Sequence, residues 1–280
     1  MTAMASPTLP VLTSASNPRV RAAIALRERR QRDLAGLTLI DGAREVRRAL
    51  DAGVVVVEAF VCEPLLAGPD ARVALDRLRE DATSIRTVSE AVFAKLAFGE
   101  RAEGLLAVVR IPSTDLADFA LPDDPLVVVI EGIEKPGNVG AVLRSADGAG
   151  ADAVVAASPR TDLFNPNAIR ASAGTMFTVR TGAGSTPDVL AWLRGRGVRI
   201  VAARVGAGRR YTEADLTGPL AIVLGAEADG LTDAWAVDGI EALNLPMLGV
   251  ADSLNVSTSA AILLYEARRQ RGLPLAARKE

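Results

Sequence analysis

Hydrophobic and polar positions fall into short blocks along the chain, and the blocks predict alternating helices and strands. Residues 1–16 are small, polar and proline-bearing, which predicts an unstructured tail. Asn17-Pro18 is a helix-start signal, and 19–32 reads as one helix. Apolar runs at 37–40, 54–61, 84–88 and 105–109 predict strands, with helical spacing at 43–52, 70–80 and 89–96 between them. This is the rhythm of a small α/β domain over 17–110. Residues 111–125 carry three prolines among acidic and polar residues, a linker composition, and the domain boundary is placed there.

Past the linker, Leu126–Ile130 is apolar throughout, as a strand buried on both faces of a parallel sheet must be. Strands at 153–156, 198–203, 220–224 and 242–245 and helices at 140–149, 167–173, 188–194 and 256–271 complete a second α/β domain over 126–272, with 273–280 as a tail. The uncharged stretch Ser253–Tyr265 is shorter than the roughly 18 apolar residues a membrane span needs. Met1–Pro10 has neither a basic nor an apolar leader region, so no signal peptide is expected and the cytoplasm is the expected location.

Composition narrows the chemistry. The 280 residues include no histidine and one cysteine, Cys62. That excludes imidazole acid–base catalysis, histidine-based nucleophile systems, histidine metal sites and CxxC pairs. No metal is expected. The net charge of −2 conceals a basic segment, for Asn17–Arg48 holds nine arginines against four carboxylates. Such a cluster suits phosphate binding, and it equally suits a solvated helix face with internal ion pairs. The sequence lacks a P-loop, and none of its Gly-x-Gly pairs sits in the strand–turn–helix context of a dinucleotide site.

Three glycine-bearing stretches each follow a strand. Pro136-Gly137-Asn138 leads through Gly140 to Arg144-Ser145-Ala146, read as a loop, a helix start near Asn138 and an arginine further along the same helix. Gly225-Ala226-Glu227-Ala228-Asp229-Gly230 puts an acidic residue at a strand's carboxyl end, where ligands of open α/β sheets bind, although an ordinary βα turn has the same composition. Leu245-Pro246-Met247-Leu248-Gly249 runs on to Ser253-Leu254-Asn255, which brackets the last helix and also reads as a helix cap.

In this order, over about Leu126–Gly272, the three stretches closely resemble the signature motifs of the SpoU (TrmH-type) RNA 2′-O-ribose methyltransferases of the SPOUT superfamily. Asn165-Pro166-Asn167-Ala168-Ile169-Arg170-Ala171-Ser172-Ala173-Gly174 also matches. Residues 17–110 more loosely resemble the substrate-binding domain, similar to ribosomal protein L30e, of rRNA-directed members, through Leu39-Ile40-Asp41-Gly42 and Arg44-Glu45. The resemblance implies an α/β SPOUT fold with a parallel sheet and a deep trefoil knot, plus a smaller N-terminal α/β domain. It implies S-adenosylmethionine bound at Gly225, Leu245, Met247, Gly249 and Leu254. It puts Asn138, Arg144, Glu227, Ser253 and Asn255 around the reacting ribose, with Arg144 either as the base or as a cation facing developing alkoxide charge. It turns the basic segment into an RNA clamp of Arg19, Arg21, Arg29, Arg30 and Arg32, and it implies a homodimer acting on RNA, with rRNA favoured over tRNA by the extra N-terminal domain. A non-catalytic RNA-binding SPOUT protein is the reading from another class. One position departs from the pattern: Lys135 stands where the family usually has Asp.

Overall fold

A computed structural model describes residues 10–98, 103–226 and 229–272. The chain falls into two compact units, one comprising the residues up to Pro112 with Phe164–Arg170, the other Ser113–Leu163 and the residues from Ala171 onward.

The first unit runs α1 (Pro18–Ala25), α2 (Arg29–Ala35), β1 (Leu37–Asp41), α3 (Ala43–Asp51), β2 (Val56–Val61), α4 (Gly68–Glu80), β3 (Ser84–Thr87), α5 (Glu90–Leu96) and β4 (Leu105–Arg110). Its four strands form a mixed sheet in the order β1-β4-β2-β3. The β1/β4 and β2/β4 pairs are antiparallel and the β2/β3 pair is parallel. Asn17 caps α1 by accepting from the Arg19 backbone N–H, with Pro18 in the first turn, where its missing N–H costs nothing. The single helix expected over 19–32 is two helices, broken at Leu26–Glu28. Arg32 stabilises the break: its guanidinium donates to the carbonyls of Leu26 (2.8 Å) and Arg27 (2.6 Å). Within this unit the Phe164 carbonyl accepts from the buried Thr38 hydroxyl at 2.7 Å, and Arg170 pairs with Asp41 at 3.4 Å.

The second unit contains β5 (Leu126–Glu131), α6 (Pro136–Gly148) and β6 (Ala153–Ala157). Then comes α7 (Pro166–Ala171), most of which groups with the first unit. It continues with β7 (Arg180–Gly184), α8 (Thr186–Gly195), β8 (Arg199–Ala203), β9 (Arg209–Arg210), β10 (Leu220–Leu224), β11 (Ile240–Asn244) and α9 (Val256–Gln270). The seven strands lie in the order β7-β6-β5-β10-β8-β11-β9, and every pairing is parallel. The central strands β5, β6 and β10 are buried along their whole length, as their unbroken apolar runs require.

Strand β7, Arg-Thr-Gly-Ala-Gly, has too little apolar periodicity to be read from sequence. Its glycines serve close packing. A Cβ at Gly182 would stand 2.8 Å from Leu116 Cδ2 and 2.9 Å from Phe119 Cζ. Leu116 joins the core of this unit, and the Trp192 indole N–H donates to its carbonyl at 3.0 Å, so part of the linker-like stretch is packed chain.

Candidate active site

Parallel strands all deliver their carboxyl ends to one edge of a sheet, and loops gathered there form the usual ligand crevice. Here the loops after β8, β10 and β11 and the start of α9 enclose a cavity of about 380 Å³. Leu224, Leu231, Leu243 and Val256 give it apolar walls, and Arg204, Asn244, Asp229 and Asp252 add polar groups. Of the residues singled out from sequence, Gly225, Leu245, Met247, Ser253 and Leu254 line it. Gly249 lies on the same loop but is not part of the lining. Glu227 lies outside the described residues.

Gly225 sits where two stretches of backbone cross. The Gly230 N–H donates to the Ala226 carbonyl at 2.9 Å, closing a tight turn. A Cβ on Gly225 would lie 2.2 Å from the Gly230 carbonyl carbon, so no other residue fits without moving the cavity wall.

Asn138 and Arg144 ride on α6. Pro136 opens that helix and Lys135 is its N-cap, so Asn138 is the third helical residue rather than the cap. The Lys135 side chain makes no capping hydrogen bond, whereas the Asp usual at this position is a favoured cap. Helix α9 packs along α6. At one end the Asn255 amide Nδ2 donates to Asn138 Oδ1 at 3.2 Å. At the other end Arg268 donates to the carbonyls of Ala149 and Gly150, just past the end of α6. The two helices therefore run parallel and bring their amino termini together, which concentrates the positive ends of two helix dipoles beside Asn138 and Asn255. Asn255 is also the cap of α9, accepting from the Ser257 N–H at 2.9 Å, and its neighbours Leu254 and Val256 both line the cavity. Arg144 is exposed in the middle of α6.

A family model for the SpoU rRNA methylase family matches residues 125–265, half of the chain. The chain belongs to the SpoU rRNA methylase family. A second model, for an MRM3-like substrate-binding domain, matches residues 17–107. The 23S rRNA (uridine(2479)-2′-O)-methyltransferase of Streptomyces viridochromogenes is 32% identical over 260 residues, covering 88% of this chain and 87% of the relative. A crystal structure of an RNA 2′-O ribose methyltransferase superposes with a TM-score of 0.83 at 44% identity, covering 94% of this chain and all of that one (100%). An AdoMet-bound rRNA methyltransferase from Sinorhizobium meliloti superposes with a TM-score of 0.85 at 26% identity, covering 93% and 98%.

Among the arginines proposed as a clamp in this SpoU-family chain, Arg21 and Arg30 are exposed. Arg19 pairs with Glu58 at 3.0 Å and Arg29 with Asp33 at 3.6 Å, each with its side chain still 57% exposed. Arg32 is a correction. It is 1% exposed and spent on backbone carbonyls, so it cannot reach a phosphate at the surface.

Two residues that the motifs did not flag shape the SpoU-family cavity. Glu131 ends β5 with 3% exposure and accepts from the Thr232 N–H (2.8 Å), the Thr232 hydroxyl (2.9 Å) and the Thr186 hydroxyl (2.7 Å). Burial alone would raise the Glu131 pKa, but these donors outweigh it and hold the carboxyl below its ordinary value. Arg204 follows β8 and donates to the carbonyls of Leu231 (3.2 Å) and Thr232 (2.6 Å). The available signal was a charged residue closing an apolar run, Leu126–Ile130 before Glu131 and Ile200–Ala203 before Arg204, because a charge taken out of water has to be paired or hydrogen-bonded. Among the described residues no group of three or more His, Cys, Asp or Glu is placed to hold a metal ion, and no helix is long and apolar enough to cross a membrane.

Proposed function

We propose that this chain is an S-adenosylmethionine-dependent 2′-O-ribose methyltransferase acting on ribosomal RNA. The observation that carries the reading is one stretch of chain, 252–259. It walls the cavity through Asp252, Ser253, Leu254 and Val256 and in the same few residues delivers Asn255 to Asn138 of α6. A nucleoside-sized slot and a cluster of polar side chains beside two helix amino termini thereby share a border. The names of the relatives, rRNA 2′-O-methyltransferases and AdoMet-bound forms among them, support the same substrate and cofactor. A ribosomal substrate supports a cytoplasmic activity.

The residues present fit the cofactor. A cavity of about 380 Å³ with leucine and valine walls suits a purine ring, and the loop backbone and Asn244 offer edge hydrogen bonds. Gly225, Leu245, Met247 and Leu254 would hold it, and when bound it supplies an activated methyl group on sulfur. The chain's own task is to align a ribose hydroxyl and accommodate its negative charge. Asn138, Asn255 and Ser253 orient the sugar, and Glu227 positions the loop or Arg144. Arg144 is exposed on α6, open to a substrate arriving from solution, and a guanidinium is a fixed cation in proteins. We infer that it stays cationic and stabilises the alkoxide that develops on the 2′-oxygen.

The knotted passage of the C-terminal chain and a homodimer belong to the same reading. Leu248 and Val250 are fully exposed at 100% and 104% on the loop that carries Met247, and such side chains favour a protein partner such as a second copy. Light scattering should give twice the 29.2 kDa chain mass, and charged substitutions at Leu248 and Val250 should return the protein to monomer.

The deciding experiment maps 2′-O-methylation in ribosomal RNA with and without the gene. One ribose should lose its methyl group and regain it with the wild-type gene, but not with Arg144→Ala. Calorimetric titration of the purified protein with S-adenosylmethionine separates the alternative: a chain that binds RNA but not the cofactor is a non-catalytic scaffold.

A further inference from the structure

The Leu231–Thr232 segment borders the cavity, and two side chains of opposite charge hold four of its polar groups. From one side Glu131 accepts the Thr232 N–H at 2.8 Å and the Thr232 hydroxyl at 2.9 Å. From the other, Arg204 donates to the Leu231 carbonyl at 3.2 Å and the Thr232 carbonyl at 2.6 Å. The segment is the exit of the turn closed by the Gly230–Ala226 hydrogen bond, and Leu231 is itself part of the cavity wall.

Both grips stand on rigid ground. Glu131 is the last residue of β5, and Arg204 directly follows β8. The Glu131 carboxylate also accepts from the Thr186 hydroxyl at 2.7 Å, and Thr186 is in turn tied to Ser158 through its backbone N–H and its hydroxyl, each at 3.0 Å. Ser158 directly follows β6 and sits at φ 45°, a left-handed conformation uncommon outside glycine and maintained only where the surroundings impose it. Four hydrogen-bonded side chains thus link the ends of three strands to one peptide segment. An apolar residue would fill the Glu131 position at lower desolvation cost if strand burial were its only role.

We propose that Glu131 and Arg204 form a positioning pair that grips the Leu231–Thr232 segment from opposite sides and so holds the cavity open in the shape that admits S-adenosylmethionine. The proposal rests on the reading of that cavity as the cofactor site. The pair touches no reacting atom. It fixes the wall that Gly225 and Gly230 build.

The test measures S-adenosylmethionine affinity by calorimetry on the full-length protein, together with steady-state constants and hydrogen exchange without cofactor. Glu131→Ala leaves the Thr232 N–H without its acceptor and is expected to weaken affinity by about tenfold or more, the equivalent of one buried hydrogen bond. KM for the cofactor should rise in step, kcat at saturation should stay within about threefold, and amides at 229–232 should exchange faster in the cofactor-free protein. Glu131→Gln should restore affinity, because the amide oxygen still accepts from the Thr232 N–H and the two threonine hydroxyls can turn to accept from the amide N–H₂. Arg204→Met reads the opposite grip and decides the matter if Glu131→Ala does not fold. Met247→Trp, which fills the cavity, is the control. If it abolishes binding while Glu131→Ala and Arg204→Met bind normally, the positioning pair is overturned. If Met247→Trp binds normally, the cavity reading itself falls.

Discussion

The basic segment of the first unit and the strand-end loops of the second distribute their polar residues in opposite ways. In the first unit charge is dense in sequence and dispersed in space. Arg27 turns to the end of α5, donating to the carbonyls of Lys95 (2.7 Å), Leu96 (2.8 Å) and Ala97 (2.9 Å) and lying over the Phe98 ring. Arg32 is buried against the break between α1 and α2, and Arg19 and Arg29 are engaged by carboxylates. In the second unit the polar residues are sparse in sequence and meet in space, Asn138 bonding to Asn255 117 residues later. Density of one residue type therefore reports local needs such as helix ends and ion pairs. Ordered spacing after successive strands reports a site, because a parallel sheet sends all those strand ends to the same edge.

The strongest way to break this contrast is at Arg144 and Arg32, two arginines with opposite environments. Arg144→Ala should lower kcat for RNA methylation by about 10³-fold, the scale of losing a preorganised donor at a developing oxyanion, while cofactor affinity and thermal midpoint stay near wild type. Arg144→Lys keeps the charge but not the planar fork, and full activity in that variant would defeat the geometric role. Arg32→Ala should do the reverse. It leaves the Leu26 and Arg27 carbonyls unsatisfied and a void behind, so it should cost about 3 kcal/mol in urea unfolding of the first unit. The salt dependence of RNA binding by the folded protein should stay intact. A stable Arg32→Ala with a reduced salt slope would return that residue to the RNA surface.

What was legible from sequence follows the same division. The seven-stranded parallel sheet announces itself through Leu126–Ile130 and Leu220–Leu224, because strands covered on both faces must be apolar at every position. β7 was not legible, since Gly182 and Gly184 there answer to side chains of Leu116 and Phe119 that come from a stretch with linker composition. The break at Leu26–Glu28 was not legible either, because the residue that stabilises it, Arg32, looks like any other arginine of the cluster. Within the site, Leu245, Met247 and Leu254 were readable from their motif, whereas Glu131 and Arg204 act on backbone groups of a distant loop and leave no spacing to read.

A smaller effect is expected at the helix junction. Asn255→Ala removes the cap on Ser257 and the hydrogen bond to Asn138 together. It should lower stability by about 1 kcal/mol, as lost caps do, which a thermal melt will register. Asn255→Asp keeps the cap but turns an amide donor into an acceptor facing Asn138 Oδ1. It should therefore melt close to wild type and still lose activity, separating the cap from the junction. Wild-type activity in Asn255→Asp would mean that the junction does not matter for catalysis.

The smallest effects belong to the arginines left at the surface, and they decide whether the first unit contributes a phosphate contact at all. Arg21 and Arg30 are exposed, so each can meet a phosphate without first breaking an ion pair. Replacing either by alanine should weaken RNA binding a few-fold regardless of sequence and reduce the slope of log affinity against log salt by about 0.7, the release of one counterion from single-stranded RNA. Arg19 and Arg29 must first give up Glu58 and Asp33. The Arg29–Asp33 pair is exposed on both sides and worth only about 0–1 kcal/mol, and Glu58 keeps Arg86 at 2.9 Å when Arg19 leaves it, so both can still be recruited, with a smaller net loss on substitution than at Arg21 or Arg30. The expected order of effects is thus Arg21 and Arg30, then Arg19 and Arg29, then Arg32 with none on the slope. A slope that stays unchanged in the Arg21→Ala/Arg30→Ala double variant would show that phosphate contacts lie elsewhere, and that the basic segment serves only the fold of its own unit.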